Sequence, residues 1–358
     1  FMDLLVFGDP EGKLQRKKKE VVKIIRKYTP DYVIFLGDYF SWVGEYFNQL
    51  KKYLKTQKFF DLYPEAKIIE EISDKYNFIF IYGNKDLKPE VLRVRKIKER
   101  QKPKNFLLTF EKWDEVEEFL IINGSNVFGI PDKLKNPLEK EIIEFFNERD
   151  EILLKKFKVQ ILPRTTRTIR FLSKKGKVDI KRIKEEIKKL YRKLWEKYPY
   201  AKMLMKNAYW YNMDFVSRIK SNREIVLTHT PPNLQNEELI FGEYPDMAIY
   251  KIVEDVGIQP AKPNDPEAIR KNVGLESIKR FIVKNQPKIV FCGHIHEGSG
   301  IAKIRETGTI VINPGSYVAF QNYEKIIPYV FVRLKEKELK VEMKSFYDRF
   351  KKFLFITA

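Results

Sequence analysis

Three histidines occur in the whole chain, and all three directly follow apolar runs: His229 in EIVLTHTPP, His294 and His296 in PKIVFCGHIHE. Other runs of the same kind end in carboxylates or an amide: Asp9 in LLVFGDPE, Asp38 in DYVIFLGDYF and Asn84 in NFIFIYGNKD. A lone histidine is more often a satisfied polar group than a ligand. Three at strand ends, two of them as H-x-H, point instead to a cluster. Carboxylate, amide oxygen and imidazole without thiolate suit Mn²⁺, Fe or Zn²⁺. Two such ions about 3.5–4 Å apart need a shared carboxylate, and together they clamp a phosphoryl group and activate water. The alternative for LLVFGDPEGK, a phosphate-cradling loop, fails on spacing: Gly8, Gly12 and Lys13 stand one residue too close, and Leu14 replaces the hydroxyl that would hold magnesium.

The elements that position these residues are legible from periodicity. Apolar runs of strand length alternate with helical patterns such as QRKKKEVVKIIRKY and PEAKIIEEISDKY, the sequence form of an α/β layered fold. In open sheets of this kind ligands bind beyond the carboxyl ends of the strands. TIVINPGSY reads as a further strand, and YVFVRLKEKELKVEMKSFY alternates as an antiparallel hairpin. Two packed sheets with helices outside are therefore expected.

The chain has 358 residues and a formal charge of +20. Residues 151–220 carry 21 Lys and Arg against 6 Asp and Glu, so most of the excess is local and implies an anionic partner or substrate. Within that stretch Ile180, Ile183, Ile187, Leu190 and Leu194 form an apolar helical stripe, with Asp179 placed to cap it. Tyr191, Trp195, Tyr198, Tyr200, Tyr209, Trp210 and Tyr211 interleave with the basic residues. That mixture suits phosphate neutralisation and base stacking by nucleic acid, although aromatic residues that anchor the helices explain the pattern equally. Arg164, Arg167 and Arg170 in PRTTRTIR are candidate phosphate contacts.

The chain therefore divides into a core first part (1–132), a helical basic insertion (133–220), a core second part (221–345) with an irregular insert at about 233–270, and a C-terminal tail (346–358). No apolar run approaches the roughly 18–20 residues that span a bilayer, so no membrane partner is expected. One cysteine, Cys292, excludes an internal disulfide and suits a reducing, cytoplasmic setting. The Lys, Glu and Ile usage hints at a thermophile.

The ordered set GD, GD, GN-x-D, TH-x-PP and GH-x-H, closed by NPGS, resembles the calcineurin-like metallophosphoesterase superfamily. Residues from NVGLESIKRF to INPGSY are especially similar to its Icc-related predicted phosphoesterase branch. The resemblance covers about residues 2–132 and 221–345. It implies a four-layer sandwich, two mixed β-sheets flanked by helices, and two divalent transition-metal ions, Mn first, with Fe, Zn, Ni and Co as alternatives. Carried over, Asp9, Asp38 and His296 hold the first metal, Asp38 bridges, and Asn84, His229 and His294 join it on the second.

Two positions depart from the family pattern. Glu11 stands where D-x-H is usual, and is expected to ligate the first metal through oxygen. Lys85 stands where many members have a histidine at the leaving oxygen. Lysine supplies fixed charge but is a poor acid at pH 7. Lys85 is assigned to the catalytic set with Asp86, which orients the turn. The expected activity is hydrolysis of a phosphodiester or pyrophosphate, more than a monoester, by a metal-bridging hydroxide. The expected substrate is a nucleotide, another phosphorylated small molecule or nucleic acid. The alternative is a catalytically weak or inactive protein of the same fold that binds nucleic acid or an acidic partner.

Overall fold

The computed structural model describes residues 1–10, 17–39, 72, 74–83, 86, 105–109, 111–125, 213–253, 257–261, 265–316, 327–335, 338–344 and 352–357. Within them two seven-stranded mixed sheets lie face to face. In the first, β1 (Met2–Phe7), β2 (Tyr32–Phe35), β3 (Asn77–Phe80) and β4 (Phe106–Leu107) run parallel in that order. β15 (Tyr329–Leu334) lies antiparallel to β1 and is followed outward by β16 (Glu338–Lys344) and β17 (Lys352–Thr357).

The parallel centre of the second sheet is β6 (Phe119–Ile122), β7 (Ile225–Thr228), β12 (Ile289–Phe291) and β14 (Ile310–Asn313). It is flanked by the antiparallel strands β5 (Trp113–Val116), β13 (Gly300–Lys303) and β8 (Glu238–Gly242).

Strand alternation decides which residues meet. Leu4, Val6, Ile34, Leu36, Ile79 and Ile81 of the first sheet pack on Ile225, Leu227, Ile289, Phe291, Ile310 and Ile312 of the second. The opposite face of the second sheet, including Val226, Val290, Cys292 and Val311, is covered by α2 (Glu276–Asn285) and a 3₁₀ segment at Met213–Arg218. On the outer face of the first sheet Phe7, Phe35, Phe80 and Phe106 stack in sequence across β1 to β4, with centroids 5.2, 5.3 and 5.4 Å apart. Helix α1 (Lys18–Tyr28) lies there too, its Tyr28 ring stacked on Phe331 at 4.6 Å. The result is the expected order of helix, sheet, sheet, helix. Each buried strand reads as continuous Val, Ile, Leu and Phe because both of its faces are covered.

Several segments differ from the sequence division. Residues 233–270, read as irregular, contain β8, β9 (Met247–Val253), β10 (Gly257–Pro260) and the start of β11 (Ile269–Asn272), and β9, β10 and β11 form a small antiparallel sheet. Their polar residues suggested loop because this sheet buries few side chains. Met213 and Val216, read as part of the insertion, lie in the core beside α2. The tail contains β17, paired with β16 along six residues. Most of PEAKIIEEISDKY and the insertion up to residue 212 lie outside the described residues. Among the described residues no helix is long and apolar enough to cross a membrane.

Candidate metal centre

Asp9 lies two residues beyond β1, Asp38 three beyond β2, His229 directly after β7, and His294 and His296 just past β12. The two sheets face each other with these carboxyl ends on the same side, so residues as far apart in sequence as Asp9 and His296 come together. Asp38, His229 and His294 form one group able to hold an ion, and Asp9, Asp38 and His296 a second; within each, the candidate ligand atoms lie within 4.8 Å of one another. Asp38 belongs to both. His229 Nε2 is 3.4 Å from Asp38 Oδ1, and its Nδ1 is 3.8 Å from Asp9 Oδ1. His296 Nε2 is 3.6 Å from Asp9 Oδ2. All but His296, which is half-buried, are buried.

Such crowding needs an unusual backbone. Asp38 and His294 have φ of +53° and +68°, in the left-handed region that side chains rarely enter; at a ligand cluster such strain persists because the surroundings hold it. For Asp38 the holder is Asp86: its carboxylate accepts hydrogen bonds from the main-chain N–H of Asp38 (2.9 Å), Tyr39 (2.9 Å) and Gly83 (2.7 Å). For His294 it is Asp9, whose Oδ2 accepts the His294 N–H at 2.7 Å. Glycine is required beside the ligands. A Cβ at Gly83 would lie 2.2 Å from Asp38 Oδ1, and one at Gly293 2.4 Å from Asp9 Oδ1.

The NPGS segment closes the same end. Asn313 Nδ2 donates to the carbonyls of Pro245 and Ile295 at 3.0 and 2.9 Å, and Gly315 N–H donates to Asn313 Oδ1 at 2.8 Å. Ser316 Oγ donates to the Asp9 carbonyl at 2.9 Å.

The donor set fits a divalent cation. Burial alone pushes the His229 imidazole down, yet the carboxylates of Asp38 and Asp9 outweigh it and raise the group to about 9. The cluster thus stabilises positive charge where desolvation should forbid it, and an ion supplies that charge without a proton. His229 Nδ1 lies 2.7 Å from the Leu36 carbonyl, which only accepts, so that nitrogen carries a proton and Nε2 faces Asp38. The single thiol takes no part: Cys292 is in the core, and burial pushes it well above the usual range.

Burial, then the Asp38 charge, pushes Asp86 up to about 8, against the Gly83 and Tyr39 amide donors and the His229 charge. Its oxygens are engaged by main chain, so it positions the Asp38 turn, as its place in GN-x-D suggests. Asn84, Lys85 and Glu11 lie outside the described residues, as do Arg164, Arg167 and Arg170. Sequence reasoning missed Asn123 and Ser125. The run EEFLIINGS has the same strand-then-polar form as the five that supplied ligands, and that was the available signal. Asn123 Oδ1 accepts the Tyr82 N–H at 2.9 Å, while its Nδ2 donates to the carbonyls of Thr109 and Glu111, both at 2.8 Å.

A family profile described as calcineurin-like phosphoesterase matches residues 2–298. The chain belongs to this family. The calcineurin-like phosphoesterases are metal-dependent, and the Asp and His groups described above are where this member can hold metal. Among solved structures, one crystal structure is 15% identical over 96% of this chain and 99% of its own, with a TM-score of 0.46. The crystal structure of TT1561 of Thermus thermophilus is 12% identical over 99% of each chain, with a TM-score of 0.38. No curated protein matches the chain.

Proposed function

We propose that this phosphoesterase cleaves phosphodiester or pyrophosphate bonds of a nucleotide or nucleic acid with two divalent transition-metal ions, Mn²⁺ first among the candidates, and that it works in the cytoplasm. The observation that supports this most is the sharing of Asp38 between two adjacent ligand groups. Asp9 and His296 would complete one site, with Glu11 adding oxygen, and His229, His294 and Asn84 the other. When bound, such ions supply Lewis acidity at the phosphoryl oxygens and make water nucleophilic near neutral pH.

The chain supplies the rest. Buried strand ends from both sheets hold the carboxylates and imidazoles before substrate arrives, so little reorganisation accompanies the reaction. Lys85 neutralises charge on the leaving oxygen as the phosphorus–oxygen bond breaks. Because lysine holds its proton at pH 7, leaving groups that tolerate fixed charge without protonation are favoured, which disfavours simple monoesters. The basic insertion, with Arg164, Arg167 and Arg170, draws in further phosphates.

The test is hydrolysis of bis-p-nitrophenyl phosphate with Mn²⁺, expected to exceed that of p-nitrophenyl phosphate and to disappear in His294→Ala. Absence of turnover with Mn²⁺, Fe²⁺, Co²⁺, Ni²⁺ and Zn²⁺ alike would leave the binding-protein alternative. Nucleic acid as substrate requires binding that weakens with salt in an anisotropy titration.

A further inference from the structure

We propose that Ser125 is a positioning residue of the metal centre: its hydroxyl accepts a hydrogen bond from His294 Nε2–H and so fixes the tautomer that presents Nδ1 to an ion. This rests on the metal-centre reading above. Ser125 Oγ lies 2.8 Å from His294 Nε2, and both side chains are buried. A neutral imidazole has one N–H and one lone pair, and an ion needs the lone pair. With Nε2 engaged by the hydroxyl, only the tautomer protonated there leaves Nδ1 for metal. Metal-bound histidines commonly donate their second N–H to such a partner, which also raises their basicity.

The surroundings hold Ser125 in place. Strand β6 runs parallel beside β7, and so delivers Asn123, Gly124 and Ser125 to the same end of the sheet as His229. Asn123 is fixed by its three hydrogen bonds to main chain. Gly124 N–H donates to the Tyr82 carbonyl at 2.6 Å, and the Gly124 carbonyl accepts from Thr230 Oγ1 at 3.3 Å. The neighbouring His229, its ring centroid 4.8 Å from that of His294, is set instead by a main-chain carbonyl. With the tautomer proposed, the two adjacent imidazoles face the site through different nitrogens, and that of His294 is set by a side chain that substitution removes.

Three histidines make the tautomers readable by long-range ¹H–¹⁵N spectra of the ¹⁵N-histidine-labelled, metal-free full chain. Wild type should show His294 protonated on Nε2. Ser125→Ala should shift it toward a mixture and weaken Mn²⁺ binding, measured by calorimetry, about 10- to 100-fold. Ser125→Thr, which keeps the hydroxyl, should restore both, with thermal unfolding confirming that each variant folds. A wild-type chain that binds Mn²⁺, and an alanine variant with its tautomer and affinity unchanged within about twofold, would overturn the role given to Ser125. A wild-type chain that binds neither Mn²⁺ nor Zn²⁺ would overturn the metal centre itself.

Discussion

At Gly293 a single methyl group would come within 2.4 Å of Asp9 Oδ1, closer than non-bonded atoms tolerate. Gly293→Ala should therefore displace the Asp9 carboxylate. We expect a stability loss of about 1–3 kcal/mol from overpacking together with Mn²⁺ binding weakened by at least about tenfold, as for other disturbed ligand surroundings; calorimetric titration reads the second. Asp86→Ala should act differently, since it leaves the buried N–H groups of Asp38, Tyr39 and Gly83 without their acceptor. Each unsatisfied donor costs about 1–3 kcal/mol, so urea unfolding should show a loss of about 3 kcal/mol or more. Asp9, Asp38 and the histidines were visible in the sequence because each ends a strand-like run. That Asp86 orients its turn was legible in GN-x-D, but that its carboxylate also takes the amides of Asp38 and Tyr39, and that Ser125 meets His294, was not, because a hydrogen bond between segments 47, 48 or 169 residues apart leaves no local pattern.

The elements around the site separate stability from chemistry. Phe281 on α2 is buried against the face of the second sheet that points away from the first. Phe281→Ala should cost about 3–5 kcal/mol yet leave Mn²⁺ affinity unchanged, a combination that denaturation and calorimetry check together. Asp246, between β8 of the second sheet and β9 of the small antiparallel sheet, accepts hydrogen bonds from the Leu234 N–H and Asn272 Nδ2. Burial nonetheless raises it to about 6 from its ordinary 3.8. The folded state thus holds this proton more tightly than the unfolded chain. Its contribution is fully present below about pH 4 and is lost as pH rises through about 6, a change of about 3 kcal/mol. Asp246→Asn should gain stability relative to wild type across that window, read from unfolding curves at pH 4 and 7. That residues 233–270 form strands was hidden because β11 has three exposed positions of four, and alternation is weak where burial is slight. Strand β17 eluded the reading for a related reason, as an edge strand of the first sheet takes its register from β16.

For the molecule as a whole, the ligands come from both sheets, Asp9 and Asp38 from the first and the histidines from the second. An ion held by both groups would tie the sheets together and favour the folded chain, which alone assembles these ligands. At a free concentration about a hundredfold above its Kd, one bound ion should stabilise by about 2.7 kcal/mol, so Mn²⁺ should raise Tm and a chelator should reverse the gain; an unchanged Tm would show that no ion bridges the sheets. The amino-acid sequence by itself determined the layered α/β class, the strand ends and the ligand types, because period-two burial and short polar termini are written locally. It also determined the family, through motifs in a fixed order. Only the tertiary structure decided that Asp38 is shared, which main-chain amides Asp86 gathers, that Ser125 meets an imidazole, and which nitrogen of His229 faces Asp38. Those facts depend on two sheets packing with their carboxyl ends on one side, a consequence of burying Leu4, Ile34, Leu227 and Phe291 together that no stretch of sequence expresses alone.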